Sequence, residues 1–368
     1  MRILIISTTK PYKGSGSGLT EYAYQLVTHM KPLLGKYTII DELFAIKKSK
    51  KNNIRGLIKA NTEFKIRLRR IAHRKYDIIH ITDQEVGFAA KILKKAKVKA
   101  KIVTTVHDLS RFEAGLHRGM AQRAYNWMVK GSTANAIEHS DFILCNSSQT
   151  YKTLIRRFGK RKNIAVVSHG IDDKIISARL HKKMYKKGKF IVGYIGALAL
   201  HKNVILILRT AKILKGDDTY RFVINGTGAE LQNLVNFKKK NGLDNVEFCG
   251  YVPEKDKVRA YDSFDAFAFP SRYEGFGNPI LEAQARGLPV MIYKDGRIPN
   301  EVKKFCIETG CPEQMAEVIR SLEKNGYRQE PRKLGIKHAG GFTWNKTANG
   351  TIDVYKTLLK RETINVNL

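Results

Sequence analysis

The sequence predicts an α/β protein made of two doubly wound parallel-sheet domains. Short apolar runs with strand character alternate with helical segments through the first half, the order that lays down a parallel sheet. A polar, basic stretch without period, KKMYKKGK (Lys182 to Lys189), then interrupts the pattern and reads as a linker. After it the alternation starts again at Phe190. A chain of 368 residues is long enough for two full-sized cores. The expected division is 1–185, 186–344 and a closing helical segment over 345–368.

The first strand is RILIIS, and TTKPYKGSGSGLTEYAYQL follows it. A glycine-rich loop between a first strand and a first helix is where doubly wound folds place a phosphate. Gly14, Gly16 and Gly18 lack the spacing of the dinucleotide fingerprint, so no nicotinamide cofactor is expected. The helix begins at Thr20-Glu21, with Tyr22, Leu26 and Val27 on one face. Further strands are expected at Asp77 to Ile81, Lys101 to Val106, Phe142 to Cys145 and Ile164 to Val167. His107-Asp108 falls at the C-terminal end of one of them, where ligands of open α/β sheets bind.

In the second half, Phe190 to Leu198 is a buried strand leading into the loop LALHKNV. Arg221 to Leu234 holds a strand, the glycines Gly226 and Gly228, and a helix. VEFCGYVPEKDKVRAYDSFDAF adds a strand, a turn from Gly250 to Pro253 and a short helix. Next comes the most informative stretch, FDAFAFPSRYEGFGNPILEAQARGLPVMIY, Phe264 to Tyr293. It reads as a strand (Ala266 to Phe269), a loop, a helix from about Pro279 to Arg286, and a strand (Val290 to Tyr293). Asn278-Pro279 looks like an N-cap with proline in the first turn, and Gly287 sits at a C-terminal stop. Glu274 and Glu282 flank the helix start. Between them Gly275 and Gly277 let backbone N–H groups approach a ligand closely. Donors at a helix N-terminus suit an anion, and carboxylates suit sugar hydroxyls.

The pattern P-S-x-x-E-G-F-G-x-x-x-L-E-A-x-A-x-G-x-P-V, from Pro270 to Val290, resembles the glutamate-x7-glutamate signature of retaining, GT-B glycosyltransferases of family 4. The resemblance covers essentially the whole chain and is strongest from Phe190 to Tyr293. It implies two Rossmann-like domains facing each other across a cleft, with the closing helix returning to the first. The implied reaction moves a hexose from a nucleoside diphosphate sugar, such as GDP-mannose or a UDP-hexose, to a hydroxyl of a glycan or lipid-linked acceptor. Anomeric configuration is kept, and neither a metal nor a cofactor is used. By this resemblance Glu274 holds the donor sugar, Glu282 the nucleotide ribose, and the backbone of Gly275, Phe276 and Gly277 lines the sugar pocket. TTVHD looks like the family's cleft histidine, which makes His107 a neighbour of the donor sugar. Lys202 matches a diphosphate-binding lysine, whereas Ala197 stands where the family has an arginine; His201 is the candidate replacement. The loop with Gly16 and Gly18 lies by the donor phosphates. Asn225 and Gly226 lie beneath the nucleotide, and the backbone near Tyr251 and Val252 reads its base. VVSHGIDD resembles the family's N-G-I-D turn, with His169 in place of asparagine.

The charge is the unusual number: 67 Lys and Arg against 33 Asp and Glu give a formal net charge of +34, which calls for a polyanionic partner. Twelve of those cations, with the single acid Glu63, fall between Lys47 and Lys75. Ile54, Leu57, Ile58, Phe64, Leu68 and Ile71 recur there at helical spacing. Such a helix can lie on an anionic membrane, or pack on the first sheet with its charged face in solvent. The rival reading is a basic nucleic-acid- or membrane-binding protein without transferase activity. Nucleic acid is disfavoured because aromatic residues are not interleaved with the basic run. No apolar run approaches the roughly 18 residues that span a bilayer, and the opening segment is too short for a secretory signal. The four cysteines lack metal-ligand spacing. The expected setting is cytoplasmic, at the inner face of the membrane, with an anionic or lipid-linked acceptor.

Overall fold

A computed structural model describes residues 1–10, 18–46, 54–72, 74–112, 120–179 and 189–360. The chain packs as two compact units, Met1–Gly170 with Trp344–Leu368, and Ile171–Thr343. The second unit therefore starts well before the basic stretch expected as the linker, and 180–188 lie outside the described residues. Two hydrogen-bonded features explain the earlier start. Ile171 N–H donates to the Phe342 carbonyl, and the guanidinium of Arg286 binds the carbonyls of Ile175, Ala178 and Arg179.

In the first unit β1 (Arg2–Thr9), β2 (Ile39–Ile46), β3 (Ile78–Ile81), β4 (Lys101–Val106), β5 (Phe142–Cys145) and β6 (Ile164–Val166) form a parallel sheet, in the order β2-β1-β3-β4-β5-β6. The run ILII, Ile3 to Ile6, is buried on both faces, as a central parallel strand requires. One face packs on Tyr22, Leu26 and Met30 of the helix Gly18–Leu34 and on Trp344, Ile352 and Tyr355 of the helix Trp344–Lys360. The other face packs on Phe64, Leu68, Ala89, Ala90 and Leu93.

The second unit repeats the plan with β7 (Phe190–Ile195), β8 (Tyr220–Asn225), β9 (Val246–Gly250), β10 (Ala266–Phe269), β11 (Val290–Tyr293) and β12 (Ile307–Thr309). Their order is β12-β11-β10-β7-β8-β9, again all parallel. The order reverses beside β7, so the loops after β7 and β10 leave neighbouring strands at the switch point where open sheets bind ligands. The two-sheet α/β architecture expected from the sequence is the one observed.

The basic helix spans Ile54–Ala72. In its described part Phe64 and Leu68 are fully buried, and the Phe64 ring meets Phe88 edge-on at 6.0 Å. Those two residues belong to the core of the first unit and are not available to enter a bilayer, which corrects the interfacial reading for this half of the helix. Lys65, Arg69 and Arg70 remain exposed. Lys47 to Lys51 lie outside the described residues.

Candidate functional site

Three loops of the second unit meet at the C-terminal ends of β7, β10 and β11. After β7, a short turn of 3-10 helix (Leu200–Lys202) ends in Asn203, whose left-handed backbone (φ 54°) turns the chain. That turn presents Lys202. After β10, the loop from Ser271 presents Glu274. Lys202 Nζ donates to both Glu274 carboxylate oxygens, at 2.7 and 2.9 Å, and lies 5.3 Å from the Phe269 ring centroid. Both side chains are largely buried, 16% and 7% exposed, so water screens the pair little. A backbone strap fixes this meeting. Arg272 N–H donates to the His201 carbonyl at 2.8 Å, Arg297 N–H to Arg272 at 2.9 Å, and Glu274 N–H to Arg297 at 3.0 Å.

Glu282 lies in the helix Asn278–Ala285 and is 4% exposed. Its Oε2 accepts from the Tyr261 hydroxyl at 2.7 Å and its Oε1 from Lys257 Nζ at 3.2 Å. Lys257 and Tyr261 are four apart on the short helix Lys257–Asp262, so both reach the same neighbour. Burial pulls the Lys257 ammonium pKa down, but the carboxylates of Glu282 and Glu254 outweigh it and hold the pKa above the ordinary lysine value. Burial, reinforced by Glu282, raises the Tyr261 hydroxyl well above its usual range. Both groups thus donate to Glu282. A carboxylate has about four acceptor sites, so two remain for the hydroxyls of a diol.

The helix starts one residue earlier than expected. Gly277, in the left-handed region (φ 103°), is the N-cap, Asn278 is the first helical residue, and the Asn278 Oδ1 caps nothing. Phe276 is buried against Phe342, with centroids 5.9 Å apart, so its side chain is a wedge beneath the loop rather than a pocket wall. Gly275, half-buried, separates it from Glu274.

Asn225 ends β8 and Gly226 follows it, and each spends a donor inside the fold. Asn225 Nδ2 donates to the Tyr194 carbonyl at 3.3 Å and Gly226 N–H to Gly250 at 2.6 Å. A Cβ on Gly226 (φ 145°) would strike the Gly196 carbonyl, so this glycine lets two loops touch. Tyr251 is half exposed and Val252 half-buried, just past β9.

His107 belongs to the first unit, at the end of β4. Its Nε2 donates to the Thr82 carbonyl at 2.7 Å, which leaves Nδ1 to accept from His169 Nε2 at 3.0 Å. Burial pushes its pKa down to about 4, and that of His169 well below the usual value. The ring is a neutral, internally bonded group with both nitrogens in use, not a free acid or base. Gly18 is exposed at the start of its helix, and Gly16 lies outside the described residues. Sequence reasoning missed Lys257, Tyr261 and the Arg272 strap. It treated His169 only as a departure, whereas the structure bonds it to His107.

Among the described residues no His, Cys, Asp or Glu side chains group to hold a metal, and no helix is long and apolar enough to cross a membrane. All four cysteines are free thiols.

The family model "Glycosyltransferase Family 4" matches residues 21–174, and "Glycosyl transferases group 1" matches residues 177–339. The O-antigen chain mannosyltransferase B of Escherichia coli is 29% identical over 275 residues, 70% of this chain and 71% of that protein. A D-inositol 3-phosphate glycosyltransferase of Corynebacterium diphtheriae is 24% identical over 310 residues, 77% of this chain and 71% of that protein. Among solved structures, sucrose-phosphate synthase from Thermosynechococcus elongatus superposes with a TM-score of 0.77 at 18% identity, covering 98% of this chain and 100% of that one. The Anabaena protein Alr3699/HepE, in complex with UDP and glucose, gives a TM-score of 0.69 at 16% identity, over 96% and 99%. With adjoining models matched along both units and a glutamate pair seated at the switch point of the second, the chain belongs to the group 1 glycosyl transferases of the GT-B fold.

Proposed function

We propose that this glycosyltransferase moves a hexose from a nucleoside diphosphate sugar to a hydroxyl of a glycan or lipid-linked acceptor, with retention and without a metal. The observation that carries the reading is the arrangement of Lys202 after β7, Glu274 in the loop after β10 and Glu282 in the helix that follows that loop. Glu282, which accepts from Lys257 and Tyr261, would take the ribose diol, Glu274 the sugar hydroxyls and Lys202 the diphosphate; the Lys202–Glu274 contact, which brings the two loops together, supports that division. The bond from the anomeric carbon to the diphosphate oxygen breaks with its electron pair going to the diphosphate. A bond from the acceptor oxygen forms on the same face, and the departing diphosphate takes the acceptor proton. Cationic and N–H donors held in place before charge develops supply the main stabilisation. The named activities of the relatives, mannosyl transfer among them, support a hexose donor. The test is nucleoside diphosphate release from a panel of UDP-, GDP- and ADP-hexoses. One or two donors should be turned over well above the rest; no release from any of them would overturn the reading.

The charge supports a second part of the proposal, a cytoplasmic enzyme working on an anionic acceptor at the inner membrane face. Because Phe64 and Leu68 are used by the core, contact with lipid through this half of the helix rests on the basic face, at roughly 1 kcal/mol per cation near an anionic leaflet. The protein should sediment with anionic liposomes at low salt and be released as the Debye length shrinks to about 3 Å near 1 M. Failure to sediment at low salt, or tighter binding to nucleic acid than to liposomes, contradicts it.

A further inference from the structure

The Lys202–Glu274 pair is electrically neutral. Nζ is bonded to both carboxylate oxygens, and the pair is largely buried, so the lysine's charge is compensated before a ligand arrives. A nucleoside diphosphate sugar carries negative charge on both phosphates and gains more as the sugar departs. A site built only on that pair lacks the net positive charge such a leaving group calls for, and Ala197 contributes none.

The strap between the loops places a better cation than His201. Tyr273 is bridged to Arg297 and buried at 2% exposure, and Arg272, at a bend just before it, donates its N–H to the carbonyl of His201, the chain neighbour of Lys202. Arg272 is exposed, and its guanidinium has no ion pair or hydrogen bond among the described residues. Its backbone is pinned at both ends, N–H to His201 and carbonyl to Arg297, so the side chain leaves from a fixed point. We propose that Arg272 supplies the guanidinium that grips the donor diphosphate beside Lys202. A guanidinium is always charged and its fork matches two phosphate oxygens, whereas an imidazole is cationic only when protonated. The inference rests on the reading of this unit as a nucleoside diphosphate sugar site.

Calorimetric titration of wild type, Arg272→Ala and Arg272→Lys with UDP, GDP, ADP and the corresponding nucleosides separates the two claims. For the nucleotide that wild type prefers, Arg272→Ala should bind the diphosphate at least tenfold more weakly and the nucleoside within twofold of wild type. Arg272→Lys should recover part of the loss, and the thermal midpoints should coincide because the side chain is exposed. Unchanged diphosphate affinity in Arg272→Ala overturns the inference while leaving the site intact. An equal loss for diphosphate and nucleoside also overturns it, since the residue would then be shaping the pocket. A wild type that binds none of the three diphosphates overturns the underlying reading.

Discussion

Replacing Glu274 with glutamine should lower sugar transfer about a hundredfold, to no more than a few per cent of wild type. The substitution keeps the side-chain shape and removes its charge. A hydrogen bond to a charged group contributes roughly 1.5–3 kcal/mol, which at about 1.36 kcal/mol per decade is one to two decades of rate. Loss of the carboxylate also frees Lys202 from its fixed position, 2.7 and 2.9 Å from the two oxygens. Glutamine is the informative variant because Glu274, though in a loop, is 6% exposed. Alanine would strand the Lys202 ammonium, and breaking a buried pair costs about 3–5 kcal/mol of stability. Activity should be followed as nucleoside diphosphate release at saturating donor, with a thermal melt to separate chemistry from unfolding. A double-digit percentage of wild-type activity would remove Glu274 from the mechanism.

Lys202→Ala is expected to reduce kcat/KM by at least tenfold, and by more than a single lost contact implies. Once the lysine is gone, the largely buried Glu274 also loses its counter-ion, next to the place proposed for the diphosphate, so the variant disturbs both members of the pair. The two residues act as a unit, so the double variant Lys202→Ala/Glu274→Gln should fall short of the product of the single effects. Steady-state kinetics on the preferred donor measure both. Unchanged KM and kcat in Lys202→Ala would mean that another residue holds the diphosphate.

The central strands were legible in the sequence because parallel strands buried on both faces read as unbroken apolar runs. Ala266–Phe269, Val290–Tyr293, Lys101–Val106 and Phe142–Cys145 fall at the expected limits. The two strands that sequence reading did not resolve, Ile39–Ile46 and Ile307–Thr309, are both sheet edges. They carry Asp41, Glu42 and Glu308 and so give no continuous apolar signal. The amphipathic stretch around Phe64 was legible as a helix, but its apolar side has the same period whether it meets a membrane or a sheet. Only packing separated the two.

Glu274 and Glu282 were legible through their spacing on either side of a helix start. Their partners were not. Lys202 is 72 residues from Glu274, while Lys257 and Tyr261 are 25 and 21 residues from Glu282. Only the strand order brings those segments together. Asn278 was misplaced as a cap because Gly277 reaches the left-handed region and starts the helix without a side-chain acceptor. His169 gave a signal, a histidine where the family resemblance has asparagine, and its meaning is the bond to His107 at 3.0 Å.

A crystal structure with the nucleoside diphosphate of the preferred donor tests the central claim most directly. The expected result is density in the second unit with both ribose hydroxyls within hydrogen-bonding distance of Glu282 and the diphosphate within reach of Lys202. A nucleotide bound elsewhere, or one whose ribose and phosphates leave Glu282 and Lys202 untouched, would contradict it.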